Sequence, residues 1–229
     1  MVAPLNDKQR VAHYAADLIH NDMVVGLGTG STANYFIDEL AKRRVEGLRV
    51  TTVASSIISS NRAQQMGLEV VAIEHLSHID VYVDGADEVS PQMALLKGRG
   101  ADLVREKLLA NASDQFLVLV DNTKMVEYIG QKHPIAIEVA PFSWEMVSHS
   151  LLKIGGKGSL RANGDGLAMT SHGSLVLDMT FDSSLDSKQL NELLNAVPGV
   201  VEHGIFQGLA TEILIGENEQ IAHITKLAE

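Results

Sequence analysis

Apolar and polar positions along the first half of the chain switch repeatedly between helical and strand spacing. From Asp7 to about His20, Val11, Ala12, Ala15, Ala16, Leu18 and Ile19 return every three or four positions, predicting a helix capped at Asn6 or Asp7. "MVVGLG" then reads as a short apolar strand, and "STANYFIDELAKRR" as an amphipathic helix. "LRVTTVAS" and "IISSNRAQQMG" repeat the strand–helix pair, with Gly67 closing the second helix. "LEVVAI" and "HIDVYVDGADE" follow as strands, "GADLVREKLLANA" as a helix and "QFLVLVDNTK" as a strand. This alternation predicts an α/β fold, a parallel sheet with helices on both faces.

Past "KMVEYIG" the rhythm changes. "HPIAIEVAP" predicts a strand, "SWEMVSHSLLKIG" a helix, and "GLAMTSHGSLVLDMTF" a hairpin turning at His172-Gly173. "DSKQLNELLNAV" is a further helix, ended by Pro198-Gly199, and "VVEHGIF" completes a small antiparallel α+β unit. The apolar "LATEILIG" returns to the first sheet. The core is one of Val, Ile, Leu and Ala, because 45% of the 229 residues are hydrophobic and only 4% aromatic.

Bulk chemistry excludes several classes. A net charge of −11 speaks against a nucleic-acid surface, though not against a small anionic ligand held by a few local groups. The absence of cysteine removes disulfides, thiolate catalysis and Cys-based zinc sites. No signal-peptide pattern opens the chain and no apolar run reaches membrane length, so a soluble cytoplasmic protein is expected.

"VVGLGTGST" (Val24–Thr32) has the look of a nucleotide loop. Its glycines spell G-x-G-x-G, with Ser31 where a dinucleotide fingerprint needs glycine, and the second strand ends "TTVASS" without a ribose-binding acid. No lysine follows the last glycine, which excludes a triphosphate P-loop. What remains is a turn into a helix whose free amides and dipole favour an anion, with hydroxyls at Thr29, Ser31 and Thr32 as added donors. A simple helix cap would look the same.

The stretch "DVYVDGADEVSPQMALLKGRGADLVREKLL" adds chemistry at the same predicted sheet edge. Asp84 and Asp87 flank Gly85 and Ala86 just past an apolar strand, placed to bind sugar hydroxyls or trade protons, or merely to shape a turn. Lys97 precedes Gly98-Arg99-Gly100, where an ammonium could stabilise an oxyanion. Glu106 sits on a partly apolar helix face, which makes it either salt-bridged or functional. Lys124 ends the next strand. Two acids, two lysines, a helix carboxylate and an anion loop suit proton transfer on a phosphorylated polyol.

These blocks, together with "PIAIEVAPF", "LLKIGGK" and "VPGVVEHGIF", resemble the type A ribose-5-phosphate isomerases over nearly the whole chain. The resemblance implies a Rossmann-like domain over residues 1–129 with 205–229 and a smaller, ferredoxin-like α+β domain over 130–204. It implies interconversion of D-ribose 5-phosphate and D-ribulose 5-phosphate in the non-oxidative pentose phosphate pathway, with no metal or organic cofactor. It carries Glu106 as the base that moves a proton between C1 and C2, and Asp84, Asp87 and Lys97 as lining the reacting end. Asp87 would serve ring opening or the hydroxyl protons, and Lys97 the oxyanion. Thr29, Gly30, Ser31 and Thr32 would cradle the phosphate, with Lys8 as an outer contact. Gly85, Ala86, Gly98, Arg99, Gly100 and Lys124 would complete the substrate contacts. The implied partners are a phosphopentose and further copies of the chain, as a homodimer or homotetramer, with no nucleic acid and no membrane. Two departures stand out. Arg99 replaces a glycine of the family pattern, which is costly if that position needs φ > 0, and "TSHGS" replaces the family's T-D-N-G-N hairpin. A nicotinamide dehydrogenase and a non-catalytic sugar-phosphate sensor are the rival readings.

Overall fold

The computed structural model describes residues 5–100, 102–182 and 184–226; Ala101, inside the predicted fourth helix segment, lies outside them. In chain order the elements are α1 (Asp7–Asp17), β1 (Val24–Leu27), α2 (Ser31–Val45), β2 (Thr51–Ala54), α3 (Ile57–Gln65), β3 (Glu69–Val70) and β4 (Ile79–Asp84). Then come β5 (Glu88–Val89), β6 (Leu95–Leu96), α4 (Leu103–Ala112), β7 (Ser113–Asp121), β8 (Ile135–Val139), α5 (Trp144–Lys153) and β9 (Lys157–Leu160). A small hairpin, β10 (Ala162–Asn163) and β11 (Gly166–Leu167), precedes β12 (Leu175–Thr180), α6 (Ser187–Asn195), β13 (Val200–His203), β14 (Ile205–Phe206), β15 (Glu212–Glu217) and β16 (Gln220–Thr225). No helix among the described residues is long and apolar enough to cross a membrane.

The described residues fall into two compact units. The first draws on 5–86, 105–124 and 209–226 and contains a seven-stranded sheet in the order β16-β15-β7-β4-β1-β2-β3. Every pairing is parallel except the β15–β16 hairpin at one edge. The predicted strands run nearly continuously apolar because both faces are covered: Val25, Leu27, Val81, Val83, Leu117 and Leu119 pack with Val11, Ala15, Phe36, Ile37 and Leu40 from the helices. Asn6 closes α1 with a capping box, accepting from the Gln9 amide at 2.9 Å while the Gln9 side chain returns to the Asn6 amide. The tail does rejoin this sheet, as β15 beside β7.

The second unit draws on 87–104 and 125–208. Its four-stranded sheet has the order β13-β8-β12-β9, wholly antiparallel, which with α5 and α6 is the β-α-β-β-α-β arrangement of a ferredoxin-like fold. The predicted hairpin differs in its first arm. The turn is there, with Gly173 at φ +91°, but the "GLAMT" side meets β12 only at a Met169–Leu175 bridge, and β9 takes the edge of the sheet. "KGSL" shows no apolar alternation because it is an exposed edge strand. "LEVVAI" likewise contributes only the two residues of β3.

β5, β6 and β14 form a separate short sheet in this unit. Its anchor is Glu88, fully buried, whose Oε2 accepts from the Gly130 amide at 2.6 Å and whose Oε1 accepts from Lys132 and His133 at 2.7 Å each. Glutamine has one acceptor oxygen for these three amides and would turn its own N–H groups on the rest. Glu88→Gln is therefore expected to cost about 1–3 kcal/mol, a fall in melting temperature of roughly 2–12 °C for a chain of this size. An unchanged thermal melt would refute that anchoring role.

Candidate active site

β1 and β4 are neighbours, so the turn after β1 passes over the end of β4, and the Gly28 amide donates to Val83 O at 2.8 Å. A Cβ on Gly28 would lie 2.1 Å from Asp84 Oδ1 and one on Gly26 2.7 Å from Tyr82 Cδ2. Gly30 is glycine for a different reason, since it takes φ +114° as the N-cap of α2. The G-x-G-x-G spacing thus records the close approach of β4 side chains, and no dinucleotide is needed to explain it.

Asp84 is fully buried, yet well satisfied. Its Oδ1 accepts from the Gly85 amide at 2.7 Å and the Thr29 amide at 3.0 Å, and its Oδ2 from the Tyr82 hydroxyl at 2.5 Å. The carboxylate ties the glycine turn to the strand end. Thr29 is engaged on its side chain as well, donating to Ser56 Oγ at 2.7 Å with Ser55 and Ser59 hydroxyls each 3.0 Å away. Ser59 in turn donates to Gly28 O at 2.6 Å.

The start of α2 is differently made. No side chain caps it, and Ser31 is exposed there with the Lys8 ammonium 3.3 Å from its hydroxyl. Lys8 also lies 3.9 Å from Asp121, at the end of β7. Thr32 is buried in the first turn of α2. Uncapped amides, a hydroxyl and an ammonium at one helix N-terminus are the donors an anion requires. Lys124 is half-buried in the single helical turn that follows β7.

Glu106 occupies the first turn of α4 and is 4% exposed. It shares the field of Tyr82, whose hydroxyl is held well above its usual range, chiefly by burial and then by the charges of Asp84 and Glu106. Tyr82 therefore stays protonated and donates to Asp84. Its ring stacks on Phe116 with centroids 4.9 Å apart. Sequence reasoning missed Tyr82, though its i, i+2 relation to Asp84 on a strand puts both on one face.

In the second unit, Asp87 is half-buried and its amide donates to Leu96 O at 2.8 Å. Lys97 follows β6 and is 5% exposed, with its ammonium 5.7 Å from the Phe206 ring centroid. Gly98 has φ +106° and no room for a Cβ, which would lie 2.4 Å from Leu103 Cδ2. Arg99 is not among the described non-glycine residues with positive φ, so the arginine carries no backbone strain. Arg99 and Gly100 are exposed. Gly85 and Ala86 are half-buried.

Among the described residues, His78, Asp80 and Asp114 offer ligand atoms within 4.8 Å of one another. They sit where β4 and β7 begin, at the other end of those strands from Asp84, and His78 already lies 3.3 Å from Asp114 as an ion-pair candidate. A hollow of about 780 Å³ lined by Asp22, Arg44, Arg49 and Glu69 also opens at that edge, and the glycine turn, Asp84 and Glu106 are not part of it.

A family model described as ribose 5-phosphate isomerase A (phosphoriboisomerase A) matches residues 51–220. A ribose-5-phosphate isomerase A of Thermococcus kodakarensis is 42% identical over 223 residues, 96% of this chain and 97% of that protein. One from Gloeobacter violaceus is 37% identical, covering 96% of each. Of solved structures, the ribose 5-phosphate isomerase A of Methanocaldococcus jannaschii has a TM-score of 0.91 at 34% identity, over 96% of this chain and 98% of that one. A D-ribose-5-phosphate isomerase in complex with phospho-erythronic acid also scores 0.91, at 36% identity and the same coverage.

Proposed function

The chain belongs to the ribose 5-phosphate isomerase A family, and from that premise we propose how its residues divide the work of an aldose–ketose isomerase. The reaction interconverts D-ribose 5-phosphate and D-ribulose 5-phosphate. In the proposal Glu106 takes the proton from C2 of the open-chain aldose and returns it to C1 of the enediolate. The observation that carries this is the placement of Glu106, a buried carboxylate at a helix start, in the field of the Tyr82–Asp84 pair.

Lys97 stabilises the oxygen on which charge develops. Asp87 exchanges hydroxyl protons during ring opening. Asp84, bonded by three protein donors, holds the phosphate turn against the strand end. The amides at the start of α2, with Ser31, Thr32 and Lys8, bind the phosphate, and Lys124, Gly85, Ala86, Gly98, Arg99 and Gly100 contact the sugar. Thr29 supports this cradle from below through its serine cluster. Each chemical step is a proton transfer, so no redox cofactor or metal is called on. The solved relative with phospho-erythronic acid supports an acyclic sugar-acid phosphate as the shape of ligand such a site takes. A direct assay of ribose 5-phosphate conversion by the wild type beside Glu106→Gln tests this assignment.

The protein is proposed to work in the cytoplasm, in the non-oxidative pentose phosphate pathway, as a homodimer or homotetramer. Sedimentation should give a mass of two or four chains; a strictly monomeric active species would contradict the oligomer.

A further inference from the structure

The segment Gly98–Val104 connects Lys97 to the first turn of α4, and side chains of the second unit grip it at several points. Arg161 Nη1 donates to Gly98 O at 3.0 Å and Arg99 O at 3.3 Å, while the same guanidinium is held bidentately by Asp178 of β12 at 2.8 and 2.6 Å. Ser171, in the turn before β12, donates to Asp102 Oδ1 at 2.5 Å. The Val104 amide donates to Glu138 Oε1 at 3.3 Å, and the other oxygen of Glu138 lies 2.7 Å from His172 Nε2.

Glu138 is the anomaly that calls for a reason. It is the only charged residue of the otherwise apolar strand "IAIEV", and it is fully buried. The β8 ladder is made by backbone groups and would form with an apolar side chain there. Burial pushes its carboxyl above the usual range, and His172 with the Val104 and Leu103 amides pulls it back. A carboxylate placed on the first amides of a helix is well sited to fix how that helix begins. The helix is α4, and Glu106 follows Val104 by two positions.

We propose that Glu138 and His172, helped by Arg161 and Ser171, are positioning residues that clamp the Lys97–Glu106 connection and so set where the base stands. They touch no reacting atom. Their effect runs through Glu106, so the inference rests on the assignment of Glu106 as the base. A misplacement on the order of 1 Å costs a reaction about 10²-fold, so a partial loosening should be visible in kcat.

His172 lies in a partly exposed turn, which makes its variants safe to fold. His172→Ala is expected to lower kcat by about tenfold with the KM for ribose 5-phosphate little changed, because the phosphate turn is untouched. His172→Asn, whose amide can still donate to Glu138, should restore most of the loss. Glu138→Gln should fall in kcat at least as far. If His172→Ala melts earlier but turns over at the wild-type rate while folded, the pair is structural only and the proposal is overturned. If Asn fails to rescue a slowed Ala variant, the hydrogen bond to Glu138 is not what positions the base, and the clamp is again refuted. Glu106→Gln measured in parallel separates the two ideas. Normal activity there removes the base assignment itself, whereas an inactive Glu106→Gln beside a fully active His172→Ala removes only the clamp.

Discussion

Glu106→Gln is expected to lose at least about 10²-fold in turnover of ribose 5-phosphate while folding normally. The amide keeps the volume and planarity of the carboxylate but cannot accept the C2 proton. A positioned carboxylate contributes about 10² to 10⁴-fold in such a step, so the lower figure is a floor. KM should change little, since the groups proposed to bind the phosphate, at the start of α2, are not altered. The same assay in heavy water checks the route, because the proton carried by the base between the two transfers can exchange with solvent. Deuterium should appear at the carbon that receives the proton. Near-wild-type kcat in Glu106→Gln would remove Glu106 from this role.

How far the sequence could reach depended on the range of each interaction. Patterns that live within one element were readable. The strand–helix alternation foretold the parallel sheet because both faces of its strands are covered, and the Asn6 cap needed only residues three positions apart. The ferredoxin-like unit was readable in kind but not in its edges, where β9 is too polar to alternate. What the residues do to one another across the chain was opaque. Gly28 could be called unusual, but the Asp84 carboxylate that excludes a Cβ there lies 55 or more positions away and was invisible until β1 and β4 were paired. Glu88, inside "DGADE", reads as one more acid of a solvated turn. Only the distant amides of Gly130, Lys132 and His133 make it an anchor. Thr29 reads only as a hydroxyl near an anion loop, and its bonds to Ser55 and Ser56, between β2 and α3, and to Ser59 in α3 could not be read from it.

Unphosphorylated ribose is expected to react with a kcat/KM at least about 10³-fold below that of ribose 5-phosphate. The donors at the start of α2 are free to meet an anion, because no side chain caps that helix and the Lys8 ammonium stands 3.3 Å from the exposed Ser31 hydroxyl. A hydrogen bond to a charged group contributes roughly 1.5–3 kcal/mol, so two or three of them to a dianion come to about 3–9 kcal/mol, a range that takes in the roughly 4 kcal/mol of the three decades claimed. Lys8 is partly exposed, so solvent and salt screen its share, and the preference should narrow as ionic strength rises. The loss should appear in kcat as well as KM, because binding energy from the inert end of the sugar holds C1 and C2 against the base. Lys8→Ala sharpens the test, since it should lower kcat/KM for the phosphate ester and leave the slow reaction of ribose unchanged. Equal kcat/KM for the two sugars would mean that the α2 start binds no phosphate. A deficit of Lys8→Ala that is as large on ribose would mean that Lys8 acts on the fold or the chemistry and not on the anion.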